Sequence, residues 1–210
     1  IFGTTDFGKT WERIDTGIPD TSFVPAVRQV PKDNNLLFAA TENTVYASFD
    51  NGAHWQSIQL NLPNTPVTDV IVHGDDLAIS TNGRAFWVLD DITPLRQLTP
   101  QVSNAEVVLY QPEIAYRWHF PEFFRPRGPV GSNPPPGAII DYFLKTEPKD
   151  AKLEIFDAQG KLVRSAANKE KRSEQPPEWP DLELPTNLIP AHAGMNRYAW
   201  NLRYNEPTQV

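Results

Sequence analysis

An all-β fold is expected for this 210-residue chain, on three observations. The stretch Ile1–Ile14, IFGTTDFGKTWERI, returns at Val45–Ile58 as VYASFDNGAHWQSI, with Asp6 and Asp50 44 residues apart and Trp11 and Trp55 at the same offset. Short alternating apolar runs bounded by Asn, Asp and Gly fill the space between, which is the period-two signature of strands and turns. The composition, 40% apolar and 11% aromatic with 21 Pro and 11 Gly, suits a turn-rich β protein. A period of about 40 to 45 residues with several strands per unit is the mark of a propeller blade, so residues 1–98 are expected to form about two and a half blades of a partial β-propeller.

Each element follows from this register. Residues 1–14 supply the last two strands of one blade. Phe23–Val30, Leu36–Ala40, Thr44–Phe49 and His54–Leu60 read as the four strands of a complete one. A weaker third copy runs through Val67–Val72, Leu77–Thr81, Phe86–Leu89 and Leu95–Leu98, with Thr81 40 residues after Thr41 and Asp91 41 after Asp50. Periodicity stops over residues 99–137, where eight prolines mark a linker whose apolar pieces, Val107–Gln111 and Ala115–Phe120, are short. Alternation restarts in residues 138–210 as AIIDYFLK, KLEIFDAQGKLVRS with a turn at Ala158-Gln159-Gly160, and GMNRYAWNLRY. Those are three or four strands of a small sandwich. Between them, residues 166–190 carry mixed charge and proline, which reads as a surface loop.

The repeated core is [Ser/Thr]-x-Asp-x-Gly-x-[Thr/His]-Trp, at residues 4–11 and 48–55. Asp6 and Asp50 are expected to accept hydrogen bonds from backbone N–H groups two residues on. Gly8 and Gly52 supply a left-handed backbone, and Trp11 and Trp55 cover the turn. All three tasks are structural. In the third copy, LDDITPLRQL, both the Gly and the Trp are missing.

The net charge of −7 and pI near 5.1 argue against a nucleic-acid partner, since phosphate binding needs a basic face, and none is expected. No window approaches the ~18 apolar residues of a membrane span. Zero Cys removes disulfide and thiol chemistry. Ile1 falls inside a repeat, so further blades are expected on its N-terminal side, and the chain is read as a piece of a longer protein.

The two boxes resemble the Asp-box, or BNR, repeat of sialidases, sortilin-type receptors and many bacterial propellers. The segment Leu60–Leu98, with HGDDL and TNGRAFWVLDD, is similar to the closing blade of large bacterial BNR-repeat proteins described as glycosyl hydrolase-like or Vps10/sortilin-related, although Asn82 stands where His is expected. The C-terminal strands resemble the immunoglobulin-like module that follows the propeller in those proteins, incomplete here because such a sandwich has about seven strands. The resemblance implies a secreted or cell-envelope bacterial protein whose box lies away from the binding face. It implies no specific activity.

Four constellations could carry chemistry. Asp90 and Asp91, with Arg84 and Trp87 nearby, offer the paired carboxylates of glycoside hydrolysis. Adjacent strand residues point to opposite faces, and the plainer reading makes Asp91 the box remnant and pairs Arg84 with an acid. His73-Gly74-Asp75-Asp76 could clamp a metal, yet it sits where a tight turn is needed. The patch Tyr116, Arg117, Trp118, His119, Phe120, Phe123, Phe124, Arg125 and Arg127 combines rings with cations, as sugar- and peptide-binding surfaces do; the plainer reading is glue between domains. Trp179 stands alone in the polar loop. Trp11, Trp55, Trp200, Tyr142 and Tyr198 read as core or turn covers. No zinc motif is present, and neither a metal nor a cofactor is expected. The function expected is a non-catalytic scaffold presenting a surface to a protein or polysaccharide. The alternatives are a glycoside hydrolase with some carboxylates on other blades, or a sortilin-like peptide receptor.

Overall fold

The computed structural model describes residues 1–31, 33–99, 102, 104–117, 135, 137–169 and 188–204, and the chain is nearly all β. It divides into two compact units, Ile1–Leu98 and Thr99–Val210.

In the first unit, β1 (Phe2–Gly3) and β2 (Glu12–Arg13) form a short antiparallel pair. The strands β3 (Ala26–Val30), β4 (Asp33–Ala40), β5 (Val45–Ser48) and β6 (Gln56–Ser57) make a four-stranded antiparallel sheet in sequence order. Its central strand β4 is apolar without interruption from Leu36 to Ala40, and both faces are covered. Leu36, Phe38 and Ala40 point into the main core with Val45 and Ala47. Leu37 and Ala39 point the other way, against Trp55 and Ile18. A continuous apolar run in an antiparallel strand therefore reports burial on two sides.

The third sheet has three strands, β7 (Val67–His73), β8 (Asp76–Thr81) and β9 (Phe86–Leu89). Val67, Val70, Leu77 and Ile79 close the main core against the four-stranded sheet. The fourth strand expected at Leu95–Leu98 is replaced by a short helix, α1 (Thr93–Arg96). Pro94 sits in its first turn, where the missing N–H is no loss, and the Leu95 and Arg96 N–H groups both reach the Ile92 carbonyl. Arg96 then ties the turn down by pairing with Asp75 and donating to the Gly74 carbonyl at 3.0 Å.

In the second unit, β10 (Val107–Leu109), β11 (Ala138–Leu144) and β14 (Gly194–Trp200) form one antiparallel sheet, and β12 (Lys152–Phe156) with β13 (Leu162–Ala167) forms another. Both contribute to one core, in which Ile140, Tyr142, Leu144 and Tyr198 meet Leu153, Ile155 and Ala166. The expected linker thus supplies an edge strand, since Val107–Leu109 pairs with Leu144–Tyr142. Ala115–Arg117 forms no strand, and the rest of that expected run lies outside the described residues. The β12–β13 turn is closed by Asp157, whose carboxylate accepts from the Gln159 and Lys161 N–H groups at 3.0 and 2.8 Å.

Candidate functional site

The two boxes share one hydrogen-bond pattern. Thr4 Oγ1 accepts from the Gly8 N–H at 2.9 Å and donates to the Asp6 carboxylate, which accepts from the Thr10 N–H at 2.9 Å and the Thr10 hydroxyl at 2.7 Å. In the second copy Ser48 accepts from the Gly52 N–H at 2.8 Å, and Asp50 accepts from the His54 N–H at 2.8 Å and meets the His54 ring at 2.7 Å. The Asp therefore binds the N–H four residues on. The N–H two residues on belongs to the Ser/Thr hydroxyl, a role the invariant hydroxyl of the motif signals but the Asx-turn expectation overlooked. Phe7–Gly8 and Asn51–Gly52 both have positive φ, as two central turn residues of the primed type require.

The two tryptophans differ. Trp55 is 5% exposed; its indole N–H donates to the Ile14 carbonyl at 2.7 Å and its backbone N–H to the Thr16 carbonyl at 2.8 Å. Trp11, expected as core or turn cover, is 62% exposed. Its ring lies near its own turn, where a Cβ on Gly8 would stand 3.8 Å from it, but no segment equivalent to Ile14–Thr16 covers it among the described residues. Tyr142 and Tyr198 are core, and Trp200 is half-buried with its indole N–H on the Arg203 carbonyl at 2.9 Å.

Asp90 and Asp91 follow β9 rather than lying in it, so strand alternation does not separate them. Asp91 has a left-handed backbone (φ 59°), and its carboxylate accepts from the Thr93 N–H at 2.9 Å and from the Thr93 hydroxyl. Its box role has become the entry to α1. Arg84 is exposed, its carbonyl accepting the Trp87 indole N–H at 2.9 Å; the ion pair expected for it is not found among the described residues. His73 and Asp76 pair across a two-residue hairpin turn at Gly74-Asp75, with Asp75 committed to Arg96 and Asp76 to the Asp91 N–H at 3.0 Å. Among the described residues no cluster of three or more His, Asp or Glu could hold a metal ion. No helix among them is long and apolar enough to cross a membrane.

Of the aromatic and cationic patch, only exposed Tyr116 and Arg117 are described; Trp118, His119, Phe120, Phe123, Phe124, Arg125 and Arg127 lie outside the described residues, as does Trp179. One concavity that composition alone does not signal is an apolar cleft of about 70 Å³ between the segment that follows β6 and strands β8–β9, lined by Ile58, Leu60, Leu62, Leu77, Trp87 and Leu89. It holds no carboxylate.

The box carboxylates are held as anions. The Thr10 N–H and hydroxyl bring Asp6 down to about 2. Burial pushes Asp50 up, but the His54 N–H and ring and the Ser48 hydroxyl outweigh it and leave Asp50 below the ordinary carboxylate range. A carboxyl whose folded pKa lies below its unfolded value stabilises the fold above the unfolded value, near 3.9, and loses that contribution as pH falls through the folded one. Asp50→Ala is accordingly expected to cost about 1–2 kcal/mol at pH 7. Its deficit against the parent chain should shrink as pH drops from 5 toward 2. Urea titrations of both proteins across that range check this, and a deficit independent of pH would contradict it.

Compared with known protein families, curated proteins and solved structures, the chain matches none.

Proposed function

We propose that the chain is part of an Asp-box β-propeller scaffold followed by an Ig-like module, exported from a bacterial cell, and that it works by binding a protein or polysaccharide rather than by catalysis. One observation carries this reading. The repeated carboxylates, Asp6 and Asp50, together with Asp91 at the corresponding place in the third copy, spend their acceptor capacity on donors of their own turns. A glycosidase acid or nucleophile needs a carboxyl aimed at substrate. The four-stranded sheet covered on both faces supports a stack of blades, and the other blades of the propeller are then its first partners. The excess of acidic residues makes a neutral or weakly charged ligand fit better than a polyanion.

The ligand surface in this reading is the ring-and-cation segment from Tyr116 to Arg127, because aromatic faces stack on sugar rings and arginine adds directed hydrogen bonds. Calorimetric titration of the chain against a panel of neutral polysaccharides tests it. Trp118→Ala and Phe123→Ala are expected to weaken binding roughly tenfold or more, and Asp50→Ala to leave affinity unchanged. Lost affinity in a folded Asp50→Ala protein would move the ligand site onto the box.

A further inference from the structure

Asparagine followed by glycine occurs twice in the chain, at Asn51-Gly52 and Asn82-Gly83, and the fold treats the two pairs differently. Such a pair can close on itself, because a glycine without Cβ lets its amide nitrogen approach the side-chain carbonyl carbon of the preceding asparagine. At Asn51 the box prevents this. The Gly52 N–H donates to the Ser48 hydroxyl at 2.8 Å, Gly52 is buried, and a Cβ on it would stand 2.9 Å from the Ile14 side chain. The nitrogen that would attack is held by Ser48 and shielded from solvent.

At Asn82 these restraints are missing. Asn82-Gly83 lies in the β8–β9 turn, both residues are exposed, and a Cβ placed on Gly83 would meet nothing within 4 Å. Among the described residues neither the Gly83 N–H nor the Asn82 side chain makes a hydrogen bond; only the Asn82 backbone is tied, its N–H to the Pro66 carbonyl at 2.9 Å and its carbonyl to the Thr65 hydroxyl at 3.3 Å. The length of the turn explains the free N–H. In the β4–β5 turn Thr41 Oγ1 accepts from the Asn43 and Thr44 N–H groups at 3.4 and 3.1 Å. The β8–β9 turn is one residue longer, closing from Thr81 to Ala85 where the other closes from Thr41 to Thr44, and the Thr81 hydroxyl donates to the Ala85 carbonyl at 2.7 Å without engaging Gly83.

We propose that Asn82 is a site of spontaneous covalent modification, at which the folded chain deamidates to aspartate and isoaspartate while Asn51 is preserved. The chemistry needs only water and hydroxide. Hydroxide takes the Gly83 amide proton, the nitrogen bonds to Asn82 Cγ, and the side-chain amide leaves as ammonia to give a cyclic imide. Water then opens the ring at either carbonyl. Opening at the main-chain carbonyl leaves isoaspartate, whose backbone runs through Cβ and Cγ and so lengthens the Thr81–Ala85 closure by one methylene. Either product adds a carboxylate beside the exposed Arg84. The inference is independent of the ligand reading.

Peptide mapping by mass spectrometry, on the full chain incubated at physiological temperature in buffers of rising pH, tests it. Acid is expected to accumulate at position 82, faster as pH rises and with isoaspartate in excess, while Asn51 stays intact. In urea strong enough to unfold the chain the two positions should react at similar rates, because sequence alone then sets both. Ser48→Ala, in protein shown by circular dichroism to be folded, should open Asn51 to the same reaction, and Asn82→Gln should abolish it at position 82. An Asn82 that stays intact in the folded chain, or an Asn51 that reacts as fast, overturns the proposal. So does an Asn51 that remains slow in urea, since its protection would then not come from the fold.

Discussion

Trp55→Ala is expected to cost about 3–5 kcal/mol and Trp11→Ala less than about 1 kcal/mol, although the two residues hold the same place in the same motif. Trp55 is buried among Ile18, Leu37 and Ala39, and its truncation would leave a cavity as well as an unpaired Ile14 carbonyl. The chain passing over it is fitted closely. Gly17 has φ 104°, and a Cβ there would lie 2.1 Å from the Trp55 carbonyl oxygen. Trp11 faces solvent and covers only its own turn. Urea titrations of both variants decide the matter, and equal losses would mean that the box tryptophan acts within its turn and not between repeats.

Arg197→Ala is expected to destabilise the second unit by about 3 kcal/mol. Asp141, on the central strand β11, is almost fully buried and receives two parallel bonds from the guanidinium of Arg197 on β14, at 2.8 and 2.9 Å. The two residues are directly paired across the strands. Removing the cation strands a buried carboxylate, which costs more than the pair itself contributes; the partial exposure of Arg197 places the effect at the lower end of the usual range of about 3–5 kcal/mol. The charge of Asp141 reaches further, since burial and then this carboxylate both push the neighbouring Tyr110 phenol up. Amide exchange should accelerate in β10, β11 and β14. Replacing both partners together, Asp141→Leu with Arg197→Met, should recover most of the loss, and a double variant as unstable as the single one would contradict this view of the pair.

The parts of the fold legible in the sequence are those written in local chemistry. The 44-residue register of Asp6 and Asp50 marked the turns, and alternation placed β7, β8 and β9 within a residue of where they lie. Local chemistry misled where a distant contact decides. The strand expected at Leu95–Leu98 gives way to α1, which Asp91 and Pro94 open locally and the Asp75–Arg96 pair from the β7–β8 hairpin ties down. Likewise Val107–Leu109 looks like linker until it meets β11. Trp11 and Trp55 are indistinguishable in the motif because burial is set by what covers the ring. The aromatic and cationic segment chosen for ligand binding rests on composition, and its residues from Trp118 onward lie outside the described ones.

The most direct measurement of a binding rather than a hydrolytic scaffold is turnover of the same polysaccharides by the chain and by its Asp90→Asn/Asp91→Asn variant, followed as the release of reducing ends. A scaffold whose acids belong to its turns predicts no release above the blank for either protein, with ligand binding retained by both. Turnover by the parent chain that disappears in the variant would contradict it and make these two carboxylates the catalytic pair.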